Sequence, residues 1–140
     1  MPTGKSGFEY IIAAKDDLSG FVEAKALMNL KSATIFSFLK SYFGRFGYPK
    51  TLVGDQGELA AKEVQEYVKS LGIKLIFSST YHPQGNAVVK RGHQEIISSL
   101  QKWIAARSDT IKKGLWPDYL PYAVLASNLT VKRTTGFTPF

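Results

Sequence analysis

The spacing of apolar and polar positions changes period several times along the chain. From Phe8 to Lys15 the residues are mostly apolar and rich in β-formers, which predicts a central strand. Asp16-Asp17-Leu18-Ser19-Gly20 reads as a turn, with acidic and small residues ending in glycine. Phe21 to Met28 is a second extended segment. Glu23 and Lys25 interrupt its apolar residues, which predicts a bend into two short strands and therefore a three-strand antiparallel meander. Asn29 or Ser32 is expected to cap the next element. Ile35, Phe36, Leu39, Tyr42, Phe43 and Phe46 then recur at helical spacing, and Gly47-Tyr48-Pro49 stops that helix.

Lys50 to Gly54 predicts a short buried strand that delivers Asp55 at its end, with Gln56-Gly57 turning the chain. Leu59, Val64, Tyr67, Val68 and Leu71 mark the apolar stripe of a second helix ended by Gly72, and Ile73 to Phe77 another strand. Thr80 to Gln94 begins as a loop broken by Pro83 and Gly85. It runs into a long amphipathic helix with Val89, Ile96, Ile97, Leu100, Trp103 and Ile104 on its core face. Arg107 to Gly114 is a basic, polar loop, and Leu115 to Val131 a last helix with Pro117 at its start. This order predicts an α/β fold: a mixed sheet, the three-strand antiparallel meander plus parallel strands, flanked by helices. Ligands of such sheets sit outside the carboxyl ends of the strands, where Asp16 and Asp55 both fall.

A length of 140 residues suits one domain with its own core, expected over residues 8–140 behind a flexible segment, 1–7. That segment lacks the apolar core of a signal peptide, and no apolar run is long enough to span a bilayer. Cysteine is absent, which excludes disulfides and, with two histidines, a His/Cys zinc finger. The expected location is intracellular, in nucleus or cytoplasm. Eighteen basic against eleven acidic residues give a net charge of +7. Such a balance fits a solvated basic surface or a polyanionic partner, of which nucleic acid is the commonest, and charge alone does not separate the two.

Two carboxylates on neighbouring strand ends, joined by a third group from a helix, form a hard oxygen-rich site for Mg²⁺ or Mn²⁺. Two such ions roughly 3.5–4 Å apart can activate a hydroxyl and stabilise the leaving oxygen in phosphodiester transfer. By spacing alone, Asp16 and Asp17 read as readily as an Asx turn before Ser19-Gly20, and Asp55 as a turn with Gly57.

Four stretches together carry a resemblance. Lys15-Asp16-Asp17-Leu18-Ser19-Gly20-Phe21-Val22-Glu23-Ala24 is the first, and Gly47-Tyr48-Pro49 with Gly54-Asp55-Gln56-Gly57 the second. Tyr81-His82-Pro83-Gln84-Gly85-Asn86 with Arg91-Gly92-His93 is the third. The fourth is Leu120-Pro121-Tyr122, Asn128 and Thr135-Gly136-Phe137-Thr138-Pro139-Phe140. In this order they resemble the catalytic core of retroviral and gypsy-type LTR-retrotransposon integrases, from about Phe8 to Phe140. The resemblance implies a ribonuclease H-like fold and metal-dependent DNA end processing and strand transfer. It also implies Mg²⁺ or Mn²⁺ as cofactor, held by Asp16 and Asp55, and a homodimer acting on retroelement and target DNA. His82, Gln84, Asn86, Arg91 and Gln94 are the implied DNA contacts. Lys102, Arg107, Lys112, Lys113, Lys132 and Arg133 add basic surface suited to phosphates. The aromatic excess of the first helix (Phe36, Phe38, Tyr42, Phe43, Phe46) is compatible with an interface.

The chain departs from the family at one place: Lys90 stands where the catalytic glutamate is expected. An ammonium about 4 Å from a unit charge interacts by roughly 4 kcal/mol at an effective dielectric of 20. The sign is attractive toward Asp16 and Asp55 and repulsive toward a metal ion. Lys90 is therefore expected to weaken or displace the metal and impair catalysis. Glu95 lies about 140° round the helix from it, Asp17 points away from Asp16 in a strand, and Glu58 serves the next helix start. None replaces the glutamate. The alternative expectation is a non-catalytic nucleic-acid- or protein-binding module derived from an integrase.

Overall fold

A computed structural model describes residues 3–54, 59–77, 94, 96–102, 105, 114–133 and 135–139. They fall into two units. The first comprises Met1–Asn29 with Val88–Phe140, and the second Leu30–Ala87.

In the first unit, β1 (Tyr10–Lys15) and β2 (Val22–Leu27) form an antiparallel hairpin in register from Tyr10 opposite Leu27 to Lys15 opposite Val22. The expected bend of the second segment into two short strands is not found. Within Phe21–Met28 a single strand, Val22–Leu27, forms, and among the described residues β1 and β2 form a two-stranded sheet. Glu23 and Lys25 stand two apart and so share one face of an unbroken strand, while Val22 and Leu27 are buried. Helical residues 96–102 (α3) and the helix α4 (Trp116–Leu129) complete this unit. Ile11, Val22, Ile96, Leu100, Trp116, Leu120, Ala123 and Val124 form its core. Pro117 occupies the first turn of α4, where a missing N–H costs nothing, and Pro121 lies inside the helix. Residues 5–7 form a 3-10 turn, and Gly4 lies so close to Trp116 and Pro117 that no Cβ would fit.

In the second unit, α1 (Ser32–Phe46) buries Ile35, Phe38, Leu39 and Phe43. Each contributes roughly 1.5–3 kcal/mol relative to exposure. Its N-cap is Lys31, without a side-chain cap bond, where Asn29 or Ser32 was expected. Gly47 closes the helix at positive φ, its N–H donating to the Phe43 carbonyl at 2.8 Å. Tyr42 lies against Phe38 and Phe46, Phe43 meets Tyr48, and Phe36 meets Tyr67 edge-on. Most of the aromatic excess is thus used within the unit, and Phe46 is the aromatic of α1 left exposed.

β3 (Thr51–Gly54) pairs in parallel with β4 (Lys74–Phe77), and α2 (Lys62–Ser70) connects them. Val64 and Val68, one helical turn apart, are fully buried. The Ile73 N–H donates to the Val68 carbonyl and the Gly72 N–H to that of Lys69, the paired bonds of a Schellman ending. Ile73 is itself buried, which turns the chain into β4. Among the described residues no helix is long and apolar enough to cross a membrane.

Candidate active site

Asp16 is the first residue past the carboxyl end of β1. Its backbone N–H donates to the Phe21 carbonyl at 2.8 Å, and its carbonyl accepts from the Gly20 N–H at 2.8 Å. Its side chain works in the same turn. Oδ2 accepts from the Ser19 hydroxyl at 2.6 Å and the Ser19 N–H at 2.8 Å. The Ser19 Oγ in turn accepts from the Phe21 N–H at 3.1 Å. Gly20 turns the chain with φ at 74°, where other residues are strained.

These bonds set the electrostatics. The Ser19 hydroxyl, and then the Ser19 amide, hold the Asp16 carboxyl below its ordinary value, against a smaller opposing effect of partial burial. Asp16 is therefore an ionised, exposed carboxylate at neutral pH. Both contacts fall on Oδ2, so by the acceptor capacity of a carboxylate Oδ1 keeps lone pairs for a cation. The donor type fits Mg²⁺ or Mn²⁺ as one ligand. The Asx-turn reading and the ligand reading of Asp16 are compatible, since one oxygen serves the turn.

Asp55, Lys90, His82, Gln84, Asn86 and Arg91 lie outside the described residues, as do Glu58, His93 and Glu95. Gln94 is helical and exposed. Among the described residues no three His, Asp or Glu side chains gather as a metal cluster. Of the basic residues singled out, Lys102 and Arg133 are exposed, and Arg107, Lys112 and Lys113 lie outside the described set. Lys132 lies beside the Asp16 turn. Its aliphatic stem is within 3.4 Å of where a Gly20 Cβ would stand, and its Nζ is 3.4 Å from the Ser127 Oγ. Sequence reasoning had Lys132 only as general basic surface. Ser19 was legible as a turn residue, its three-residue spacing from Asp16 being that of a local side-chain bond.

Two concavities lie elsewhere. One of about 560 Å³ is lined by Ala33, Phe36, Ser37, Lys40 and Tyr67, and one of about 340 Å³ by Ser99, Leu100, Tyr119, Tyr122, Ala123 and Ala126. Neither includes Asp16.

The family model described as integrase core domain matches residues 1–83, a span that holds Asp16 and Asp55 and ends before Lys90. The chain is 30% identical to the Gag-Pol polyprotein of avian reticuloendotheliosis virus, over 100% of this chain and 12% of that polyprotein. It is 29% identical to the Pro-Pol polyprotein of simian foamy virus type 1, over 96% of this chain and 11% of the other. A retrovirus-related Pol polyprotein from transposon 412 of Drosophila melanogaster is 26% identical over 100% of this chain. The chain thus spans about a tenth of the length of the curated relatives it matches. Among solved structures it resembles the simian T-cell lymphotropic virus intasome in complex with PP2A regulatory subunit B56 gamma. That match has a TM-score of 0.78 at 22% identity and covers 98% of this chain and 49% of the other. It also resembles the HTLV-2 integrase catalytic core domain in complex with magnesium (trimeric form), with a TM-score of 0.69 at 20% identity, over 92% and 80% of the two chains. At these identities the structural matches speak for the fold.

Proposed function

This chain belongs to the integrase core domain family, and we propose that it is a ribonuclease H-like core for DNA integration whose phosphoryl-transfer chemistry is impaired by Lys90. The observation that carries the reading is Asp16: an exposed, ionised carboxylate at the carboxyl end of β1, fixed by Ser19. Asp16 and Asp55 would hold a divalent ion, as the related core solved with magnesium suggests. Such an ion, when bound, supplies Lewis acidity toward the phosphodiester and activates the attacking hydroxyl. Lys90 puts a cation where a third anionic ligand belongs and opposes metal binding. Gln94, with His82, Gln84, Asn86 and Arg91, contacts DNA, and the net charge of +7 supports the same partner. A homodimer in nucleus or cytoplasm completes the proposal.

The test is a Mg²⁺ and Mn²⁺ titration with a DNA strand-transfer assay, on this chain and on Lys90→Glu. Tighter metal binding and strand joining in Lys90→Glu alone is the expected result. Equal activity in both chains would overturn the role of Lys90. Absence of metal binding in both would overturn the metal site. Salt-sensitive DNA binding with no joining by either chain would favour a DNA-binding module over an enzyme.

A further inference from the structure

We infer that Asn128 is a positioning residue for Asp16, acting through the backbone of Val22; the inference rests on the reading of Asp16 as a metal ligand. Asn128 lies near the end of α4, 106 residues from Val22, and is 2% exposed. Its Oδ1 accepts from the Val22 N–H at 2.8 Å, and its Nδ2 donates to the Val22 carbonyl at 2.8 Å. Only one orientation of the amide makes both bonds, since the flipped one sets donor against donor and acceptor against acceptor. A side chain that both donates and accepts at this spacing must be an amide. It therefore binds the outward edge of β2 as a neighbouring strand would.

Val22 is where this grip matters for the site. It is 1% exposed, opens β2 and stands opposite Lys15, the last residue of β1. The residue before it, Phe21, accepts the Asp16 N–H and donates to the Ser19 Oγ. The Ser19 hydroxyl then donates to Asp16 Oδ2. A continuous chain of bonds thus runs from the Asn128 amide through Val22, Phe21 and Ser19 to the carboxylate. The same end of α4 closes on the turn a second time, because Lys132 packs along Gly20 while its Nζ reaches Ser127. With Val22 released, Phe21 and Ser19 are free to shift, and the carboxylate loses its fixed direction.

Two measurements separate this inference from the functional reading. The first needs no metal: amide NMR and hydrogen exchange on Asn128→Ala in the otherwise unaltered chain. The Ser19 N–H, donated to a carboxylate, is expected to move upfield and exchange at least about tenfold faster, a change of roughly 1.4 kcal/mol in local opening. The Val64 and Val68 amides of α2 should be unchanged. An unmoved Ser19 amide in a folded variant overturns the inference whatever the domain does. The second is Mn²⁺ affinity in the Lys90→Glu chain, where Asn128→Ala should weaken Mn²⁺ severalfold and leave DNA affinity as it was. An equal loss of both would make Asn128 a general stabiliser and sink the positioning role. If Lys90→Glu binds no Mn²⁺ at all, the metal reading fails while the first measurement still decides the bond chain. Where Asn128→Ala does not fold, Asn128→Asp, which keeps an acceptor at the same reach for the Val22 N–H and loses the donor to its carbonyl, takes its place. If neither folds, Asn128 determines the fold alone and the inference is withdrawn.

Discussion

β1 and β3 both run toward an aspartate, Asp16 and Asp55, and the described contacts that set the two strand ends differ in kind. At β1 the hold is polar: seven hydrogen bonds, from Asn128, Ser19, Gly20, Phe21 and Asp16 itself, fix residues 16–22. At β3 it is steric. Gly54 ends the strand, and a Cβ there would collide with the Leu59 side chain, which is buried. Polar fixing specifies direction, since each bond has a preferred angle, but it fails if one partner is lost. Steric fixing has no preferred direction and tolerates repacking, provided volume is conserved.

The largest expected effect comes from the polar end. Asn128→Ala leaves the N–H and C=O of Val22 buried without partners, at about 1–3 kcal/mol for each group. A loss of roughly 2–4 kcal/mol in denaturant stability is expected, and Leu59→Ala should neither deepen nor relieve it. Gly54→Ala comes next, at about 1–3 kcal/mol for overpacking. Here Leu59→Ala should relieve the cost, giving a favourable coupling in a double-mutant cycle. Additive Gly54 and Leu59 effects would remove the steric half of the comparison.

The steric end was the more legible in the sequence. Val64, Val68 and Gly72 announced α2 and its ending, and β3 and β4 were bounded by Gly54 and Ile73, because stripes and glycine turns are local signals. The hairpin turn was equally plain in Asp16 to Gly20. What the sequence concealed was non-local. Glu23 and Lys25 suggested a bend, but they share one face of a straight strand whose buried residues are set by α3 and α4. Asn128 read as part of a terminal motif, and nothing in its neighbours announced a partner 106 positions away. Lys132 likewise became a neighbour of the Asp16 turn only in three dimensions. Of the site residues, Asp16 stands at the end of β1 and Gln94 on an exposed helical position, and the others lie outside the described residues.

A smaller effect is expected at Gly20, whose φ of 74° opposes a side chain, while the Lys132 stem, 3.4 Å or more from a Cβ there, would meet it in ordinary contact. Gly20→Ala should cost about 1–2 kcal/mol, chiefly from the positive φ. Thermal unfolding of Gly20→Ala beside Gly20→Asn checks the cause. Asparagine adopts positive φ more readily and should recover part of the loss if conformation dominates, and none if contact with Lys132 dominates.

The smallest effect, at Ser19, tests whether the polar end is electrostatic as well as geometric. The Ser19 hydroxyl is the largest cause of the lowered Asp16 pKa. A folded pKa below the unfolded value of about 3.9 adds stability above that value, and the contribution is lost as pH falls through the folded pKa. Ser19→Ala should therefore cost under about 1 kcal/mol near neutral pH, because the site is exposed and water can replace the lost donor. The gap between the two chains should then close as acid protonates Asp16 in both, read by denaturant unfolding across the acid range. A gap that stays constant with pH would assign the hydroxyl's effect to its bond from Phe21 N–H instead of to Asp16. Gly54→Ala provides the contrast, since a steric cost carries no proton linkage and should be the same at every pH where the chain folds.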